Sequence, residues 1–192
     1  MSTELNIPGV RIAWFDDLGT GNEDYRFLSN FYEGDPLPVF GEEWPTGEHA
    51  FQAIKATDSR ARDAIRDARS PGEAKRMGRA CTLRPDWEEV KYDVMAAVVR
   101  SKFDPGRVEG ALLLGTGDAL LVEGTYWHDR VWGIDLNALG NPGRNWLGTL
   151  LMARRAELRA MRGPKNPFVA AHPTRRWNEQ FVDGSPSVGG LR

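Results

Sequence analysis

Residues 44–55 read Trp-Pro-Thr-Gly-Glu-His-Ala-Phe-Gln-Ala-Ile-Lys, and at this stretch the sequence changes from strand-like to helical. Before it, residues 9–15 and 37–44 are short runs rich in β-branched and aromatic residues, broken by Pro and Gly. Such runs predict short strands, which we expect to form one small sheet. From Thr46, a possible N-cap, apolar residues recur at helical spacing up to about Thr57. The stretch therefore predicts the first helix.

Downstream of this helix the sequence is mostly helical. Apolar periodicity and capping residues predict helices over residues 58–69, 70–78, 86–103, 107–114 and 145–161. Two of these helices open with capping-box patterns at Ser70 and Asp86. Residues 119–123 predict a strand that leads into a loop with two Trp. The prediction is an α+β fold, a predominantly helical single domain with a small β-sheet.

Composition limits the class of protein and its compartment. The formal net charge is -2, and Cys81 is the single cysteine, with no His/Cys cluster of metal-site spacing. The chain begins without the pattern of a signal peptide and has no apolar run of about 20 residues that would span a membrane. We therefore expect a cytoplasmic protein with no membrane partner and no metal.

The C-terminal part of the sequence loses its apolar period. We expect one domain over residues 8–162 and a Pro/Gly-rich tail over 163–192. Seven Lys or Arg lie between Arg154 and Trp177, against one acid, Glu157. This run is either a solvated helix face followed by a linker, or a surface that contacts nucleic-acid phosphates.

Three polar residues of the first predicted helix lie on one face. Positions i, i+4 and i+7 of a helix fall within about 60° of one another, and Glu48, Gln52 and Lys55 have this spacing. Phe51 and Ile54 point to the other side. The helix can therefore present a carboxylate, an amide and an amine together, although such stripes are more often solvated than functional.

Six blocks along the chain resemble, in order, the motifs of the YbiA-like, or NADAR, family. They are residues 27–31 (FLSNF), 44–55 (WPTGEHAFQAIK), 70–79 (SPGEAKRMGR), 84–88 (RPDWE), 129–133 (DRVWG) and 143–148 (GRNWLG). The resemblance implies an enzyme that hydrolyses N-glycosidic bonds. We expect no cofactor, since glycosidic hydrolysis can proceed with carboxylates alone. Some members act on riboflavin-pathway intermediates, and others remove ADP-ribose from guanine bases.

This chemistry gives Glu48 and Lys55 candidate catalytic roles. Cleavage of a C1′–N bond builds oxocarbenium-like charge on the ribose, which a carboxylate such as Glu48 can stabilise, or it can activate water beside the sugar. If the leaving group is an exocyclic amine, the sugar can also open through an imine, which Lys55 can capture as a Schiff base. The covalent route and direct attack by water both remain open. The covalent route requires that the pKa of Lys55 be lowered.

Ten further residues are candidate substrate contacts: Asn30, Gln52, Arg79, Trp87, Lys91, Asp129, Trp132, Gly133, Asp135 and Asn145. The two Trp side chains can stack on a base or simply pack in the core, and the family resemblance favours the pocket for Trp132. The two Asp side chains can orient ribose hydroxyls or be ordinary loop carboxylates. Arg79 and Lys91 can bind substrate phosphate, or pair with Glu73 and Glu88 at the surface.

The other candidates have equally plain alternatives. Asn30 is a donor to the sugar or a turn residue, and Gln52 is an orienting group. His49 points about 100° away from Glu48 on the helix, so we expect it to be structural. Cys81 is expected to be a small core residue.

Three functions follow from these residues. The first is removal of ADP-ribose from guanine in nucleic acid, and the second is cleavage of a small phosphorylated ribosylamine from riboflavin biosynthesis. The third is a module that binds ADP-ribose or a nucleotide without turnover. The Glu48/Lys55 pair argues against the third function, and the basic run after Arg154 favours the first.

Overall fold

The computed structural model describes residues 8–17, 22–138 and 140–163. Its strands are β1 (Ile12–Phe15), β2 (Leu37–Val39), β3 (Glu42–Trp44), β4 (Leu120–Thr125) and β5 (Ile134–Asp135). Its α-helices are α1 (Gly47–Ala53), α2 (Ser59–Arg66), α3 (Pro71–Ala80), α4 (Trp87–Lys102), α5 (Val108–Gly115) and α6 (Trp146–Arg162). A 3₁₀ helix covers Glu23–Leu28. The predominantly helical α+β architecture is thus confirmed.

The strands form two sheets, so the expectation of one small sheet is wrong. β2 and β3 form an antiparallel hairpin, while β1, β4 and β5 form a separate sheet in the order β1-β4-β5. The hairpin turns at Phe40 and Gly41, which both have positive φ (58° and 78°). A two-residue turn of this kind matches the twist of the flanking strands, so residues 37–44 pair with themselves instead of with β1.

The three-stranded sheet is parallel along its described length. Ile12 of β1 lies opposite Leu120 of β4, and Gly124 of β4 lies opposite Ile134 of β5. Parallel strands have their carboxyl ends at the same edge. The segments that follow β1 and β4 therefore meet at one edge of this sheet.

Helix α1 is the central helix, and all seven of its residues are buried. Thr46 caps it, because its side chain accepts a hydrogen bond from the His49 backbone N–H. The helix ends at Ala53, earlier than the predicted Thr57, since the next backbone groups bond to residues 82–84. The Arg84 N–H donates to the Lys55 carbonyl at 2.8 Å, for example. Lys55 consequently lies in the turn just after the helix.

The arginines of α6 serve mainly to anchor that helix. Arg154 donates to the Phe103 carbonyl and to Glu157, and Arg155 donates to Thr116 and to the Ala119 carbonyl. Both arginines are buried. These two cations of the basic run therefore do not form a docking surface for phosphates, and the later part of the run, with most of the predicted tail, lies outside the described residues. None of the described helices is long and apolar enough to cross a membrane.

Candidate active site

A cavity of about 170 Å³ opens between α1, α3 and the ends of β1 and β4. Its lining residues are Asp17, Asn30, Glu48, Phe51, Gln52, Lys55, Lys75, Arg79, Met95, Glu123, Asp129, Trp132 and Leu147. We call it the cleft. It brings together seven of the twelve residues predicted from the sequence. Within the described residues, no group of three or more His, Cys, Asp or Glu is arranged to hold a metal ion.

The first turn of α1 positions Glu48 at the cleft. The Glu48 backbone N–H donates to the Asn30 carbonyl at 3.0 Å. A Cβ added at Gly47 would lie 2.9 Å from Asn30 Oδ1 and 3.1 Å from Val98 Cγ1, so a larger residue here would have to displace these side chains. His49 is structural as expected, because its ring bonds to the Thr46 hydroxyl and to the Ala68 carbonyl. The helix start is therefore held on both sides of Glu48.

The carboxyl group of Glu48 is buried, and its neighbours only partly offset the cost of burying its charge. Gln52 Nε2 donates to Glu48 Oε1 at 2.6 Å. Burial raises the pKa of Glu48 to about 7, an effect that Lys75 opposes and Asp17 reinforces. Near neutral pH the group can thus exchange a proton with a substrate or a water molecule.

The covalent route requires a lowered pKa at Lys55, and the surroundings of this amine lower it. Its Nζ lies 5.0 Å from the centroid of the Phe51 ring and 5.5 Å from that of Trp87. Burial lowers the pKa of Lys55, while the nearby Glu48 opposes this change. A larger fraction of neutral, nucleophilic amine is the consequence.

Asp17 and Lys75 form an ion pair in the cleft that the sequence analysis did not identify. Lys75 Nζ donates to Asp17 Oδ2 at 2.8 Å, and it lies 5.0 Å from the ring centroids of both Phe31 and Trp127. Burial alone would lower the pKa of Lys75, but Asp17 and Glu48 together raise it. Lys75 is thus a fixed positive charge at the cleft. The one signal in the sequence was its place inside the block of residues 70–79.

Glu123 is a second acid that the sequence analysis missed. It lies in β4, is 6% exposed, and its Oε2 has no hydrogen-bond partner among the described residues. Burial raises its pKa well above the usual value, and the nearby Asp17 and Asp129 raise it further. The available signal was one carboxylate inside the apolar run of residues 119–123, which is unusual for a buried strand.

Asp129, Trp132 and Arg79, three of the candidate substrate contacts, line the cleft. Asp129 Oδ1 accepts hydrogen bonds from the backbone N–H groups of Val131 and Trp132, each at 2.9 Å. The Trp132 ring packs edge-on against Phe51, with 5.2 Å between centroids. Arg79 is exposed and pairs with no carboxylate among the described residues, since Glu73 pairs instead with Arg76.

Two predicted contacts lie outside the cleft lining because other groups already engage them. The Asp135 carboxylate accepts hydrogen bonds from His128, Arg130 and the Asn137 backbone. Lys91 pairs with Glu88, which is the alternative considered above.

The other three predicted contacts do not line the cleft but contact residues that do, or the strand that carries them. Trp87 is buried, with its ring centroid 5.1 Å from that of Phe51. Asn145 bonds to the backbone of β4, donating to the Leu121 carbonyl and accepting from the Glu123 N–H. Gly133 packs so close to β4 that an added Cβ would lie 2.7 Å from the Glu123 carbonyl oxygen.

Comparison with known proteins identifies relatives of this chain. Residues 18–159 match the model of the NADAR domain. The chain is 45% identical over 139 residues to an N-glycosidase, YbiA, of Shigella boydii, covering 71% of this chain and 84% of that protein. A riboflavin biosynthesis protein of Vibrio vulnificus is 36% identical over 139 residues, which are 71% of this chain but 36% of that protein.

A solved structure has the same fold. The NMR structure of the Escherichia coli protein YbiA superposes with a TM-score of 0.64 and 36% identity, covering 87% of this chain and 93% of that one. The matched region includes α1, α3 and β4, from which the main side chains of the cleft come. Fold, motifs and relatives agree, and the chain belongs to the NADAR domain family.

Proposed function

We propose that this protein cleaves the bond between a ribose C1′ and an exocyclic amine, and that it removes ADP-ribose from guanine in nucleic acid. The broader activity is that of an N-glycosidase, a hydrolase of N-glycosyl compounds, as in the relatives described above. The observation that carries the proposal is the placement of Glu48 and Lys55 in one buried cleft, where burial moves both pKa values towards neutrality.

The two side chains fit the electronic demands of this bond cleavage. As the C1′–N bond breaks, the ribose gains positive charge, and the Glu48 carboxylate stabilises it or removes a proton from the attacking water. An N-linked ribose on an exocyclic amine can also open to an imine. The neutral amine of Lys55 can then add to C1′.

The size of the cleft supports a substrate that is only partly enclosed. Its 170 Å³ is below the roughly 300–1,000 Å³ of pockets that bury a whole small ligand. A ribose can enter, while the guanine and the rest of the ADP-ribose stay at the mouth. There the exposed Arg79, without an ion-pair partner among the described residues, is available for phosphate oxygens.

A second candidate substrate is a phosphorylated ribosylamine from riboflavin biosynthesis. It is favoured by the name of the Vibrio vulnificus relative. The arginines of α6 also favour it, because Arg154 and Arg155 are engaged inside the protein and offer no contact to a polyanion. This substrate has the same C1′–amine bond and the same need for Glu48.

The two substrates are separated by a direct comparison of turnover. We expect a higher kcat/KM for an oligonucleotide that carries ADP-ribosylated guanine than for ribosylamino-uracil 5′-phosphate. The reverse order would select the riboflavin intermediate. Binding of ADP-ribose without cleavage of either compound would instead indicate a binding module.

The site is tested by Glu48→Gln, which keeps the shape of the side chain and removes its acid–base function. We expect kcat/KM to fall by about 10²–10⁴-fold, the usual contribution of a positioned acid or base. Glu88→Gln is the matched control, because it makes the same substitution at a glutamate on the exposed face of α4. Full activity in Glu48→Gln would contradict the site assignment.

A further inference from the structure

The cleft also contains the carboxyl group of Glu123, which has no role in the activity proposed above. We propose that Glu123 donates the proton to the departing amine, while Glu48 acts on the ribose side of the bond. This inference rests on the proposed N-glycosidase function. It assigns separate tasks to two acids that come from different elements, α1 and β4.

The contacts of the two acids differ in the way that this division requires. Glu48 accepts a hydrogen bond from Gln52, with Lys75 and Lys55 close enough to favour its ionised form. Glu123 Oε2 is buried and has no hydrogen-bond partner in the part of the chain that the structure describes. A buried polar atom without a partner costs free energy, so native proteins rarely retain one without a purpose. An O–H at this position would find its acceptor in the nitrogen of a bound substrate.

Burial, and then the charges around Glu123, keep the proton on it. Asp17 and Asp129 line the same cleft, and their negative charges oppose ionisation of a third acid. Lys75 offers a positive charge, but it is already bonded to Asp17. The pKa of Glu123 therefore lies well above its usual value, whereas that of Glu48 is about 7. Two acids held in unlike environments are the arrangement by which enzymes assign an acid and a base.

Two residues hold the backbone of Glu123 in place. Asn145 Oδ1 accepts from the Glu123 N–H at 3.1 Å, and its Nδ2 donates to the Leu121 carbonyl at 2.8 Å. Gly133 packs directly against the Glu123 carbonyl. Both were candidate substrate contacts, and both are assigned here as positioning residues that act through Glu123.

The reaction balances as a hydrolysis. The Glu123 O–H proton passes to the leaving nitrogen, the C1′–N bond breaks with its electron pair on that nitrogen, and the free amine departs. A water molecule adds its oxygen to C1′ and gives a proton to Glu48. Transfer of that proton back to Glu123 through water restores both groups.

Dependence on the leaving group tests this role. The probes are the ADP-ribosylated guanine oligonucleotide and an N-(5-phosphoribosyl)-4-nitroaniline, whose weakly basic amine departs with less need for a proton. We expect Glu123→Gln to lower kcat/KM by about 10²–10⁴-fold on the oligonucleotide and by less than about 10-fold on the nitroaniline. The alkaline limb of the pH–rate profile should disappear in this variant.

Glu88→Gln is the matched control, since it makes the same substitution at an exposed glutamate of α4 that does not line the cleft. We expect it to leave kcat/KM unchanged on both probes. Asn145→Ala keeps the Glu123 carboxyl group but removes the hydrogen bonds that hold its strand. We expect it to lower kcat/KM more on the oligonucleotide than on the nitroaniline, by a smaller factor than Glu123→Gln does. This variant tests the role of Glu123 if Glu123→Gln does not fold.

The outcomes separate this role from the proposed function. If the wild-type protein cleaves the probes and Glu123→Gln loses the same factor on both, Glu123 is not the proton donor. Retention of the alkaline limb in that variant would have the same meaning. A wild-type protein that cleaves neither probe overturns the proposed function, and the role of Glu123 falls with it.

Discussion

At the scale of the residue, burial moves two neighbouring groups of the site in opposite directions. It raises the pKa of Glu48 to about 7 and lowers that of Lys55. Burial penalises whichever form is charged, so an acid and an amine in the same cleft both move towards neutral pH. The same local environment therefore produces both a proton-exchanging acid and a nucleophilic amine.

The covalent route predicts a trapped sugar on Lys55. Incubation with substrate and borohydride should reduce the Schiff base to a stable amine, which peptide mass spectrometry would locate on Lys55. Lys55→Arg keeps the positive charge but cannot form the imine, so we expect no adduct. Lys91→Arg, which changes a lysine that pairs with Glu88 outside the cleft, should still be trapped. Absence of an adduct from active wild-type protein would favour direct attack by water.

At the scale of the element, the cleft depends on the close approach of α1 and α3. The two helices meet where Gly78 faces Gln52, and a Cβ added at Gly78 would overlap Gln52 Oε1 and lie 2.8 Å from its Cβ. Gln52 in turn bonds to Glu48. Packing between the helices thus reaches the carboxyl group of Glu48, which we propose to be catalytic, through one side chain.

Gly78→Ala tests this packing. Because the added methyl group must displace Gln52, we expect a loss of about 1–3 kcal/mol in the free energy of unfolding, together with a lower kcat/KM. Gly115→Ala is the control, since Gly115 ends α5 with open space around it and Ala favours helices by up to about 1 kcal/mol. Denaturant unfolding of both variants measures the difference. Equal stability in the two variants would contradict the packing argument.

At the scale of the whole molecule, folding places several ionisable groups in one buried cleft at a cost in stability. The folded protein holds a proton on Glu48 up to about pH 7, whereas the ordinary pKa of this group is 4.5. Its contribution to stability is therefore fully present below about pH 4.5 and is lost as the pH rises to about 7. The site is thus maintained by the rest of the fold.

Glu48→Gln should remove this dependence on pH. The difference in the free energy of unfolding between the variant and the wild type is expected to shift in favour of the variant as the pH rises from 4.5 to 8. The total shift is on the order of 3 kcal/mol. Denaturant unfolding across this range measures it. A difference that stays constant would show that Glu48 has an ordinary pKa in the folded protein.

The sequence alone determined the features that arise from neighbours along the chain. Thr46 and Ser70 cap their predicted helices, because a cap needs only a side chain and a backbone N–H three residues on. One predicted cap does not form: the Asp86 side chain pairs with Arg84 and makes no capping hydrogen bond to α4. The family resemblance added to the short-range pattern by selecting Glu48 and Lys55 from an otherwise ordinary polar stripe.

Only the tertiary structure decided which distant groups share the cleft. Lys75 meets Asp17 across 58 positions of sequence, and Glu123 joins them because β4 pairs in parallel with β1. No local pattern encodes such pairing, nor the burial that raises or lowers a pKa. The same limit applied to Asp135, whose carboxylate is satisfied by His128 and Arg130. Residue type and spacing identify candidates for chemistry, but the partners and burial that select among them are properties of the folded chain.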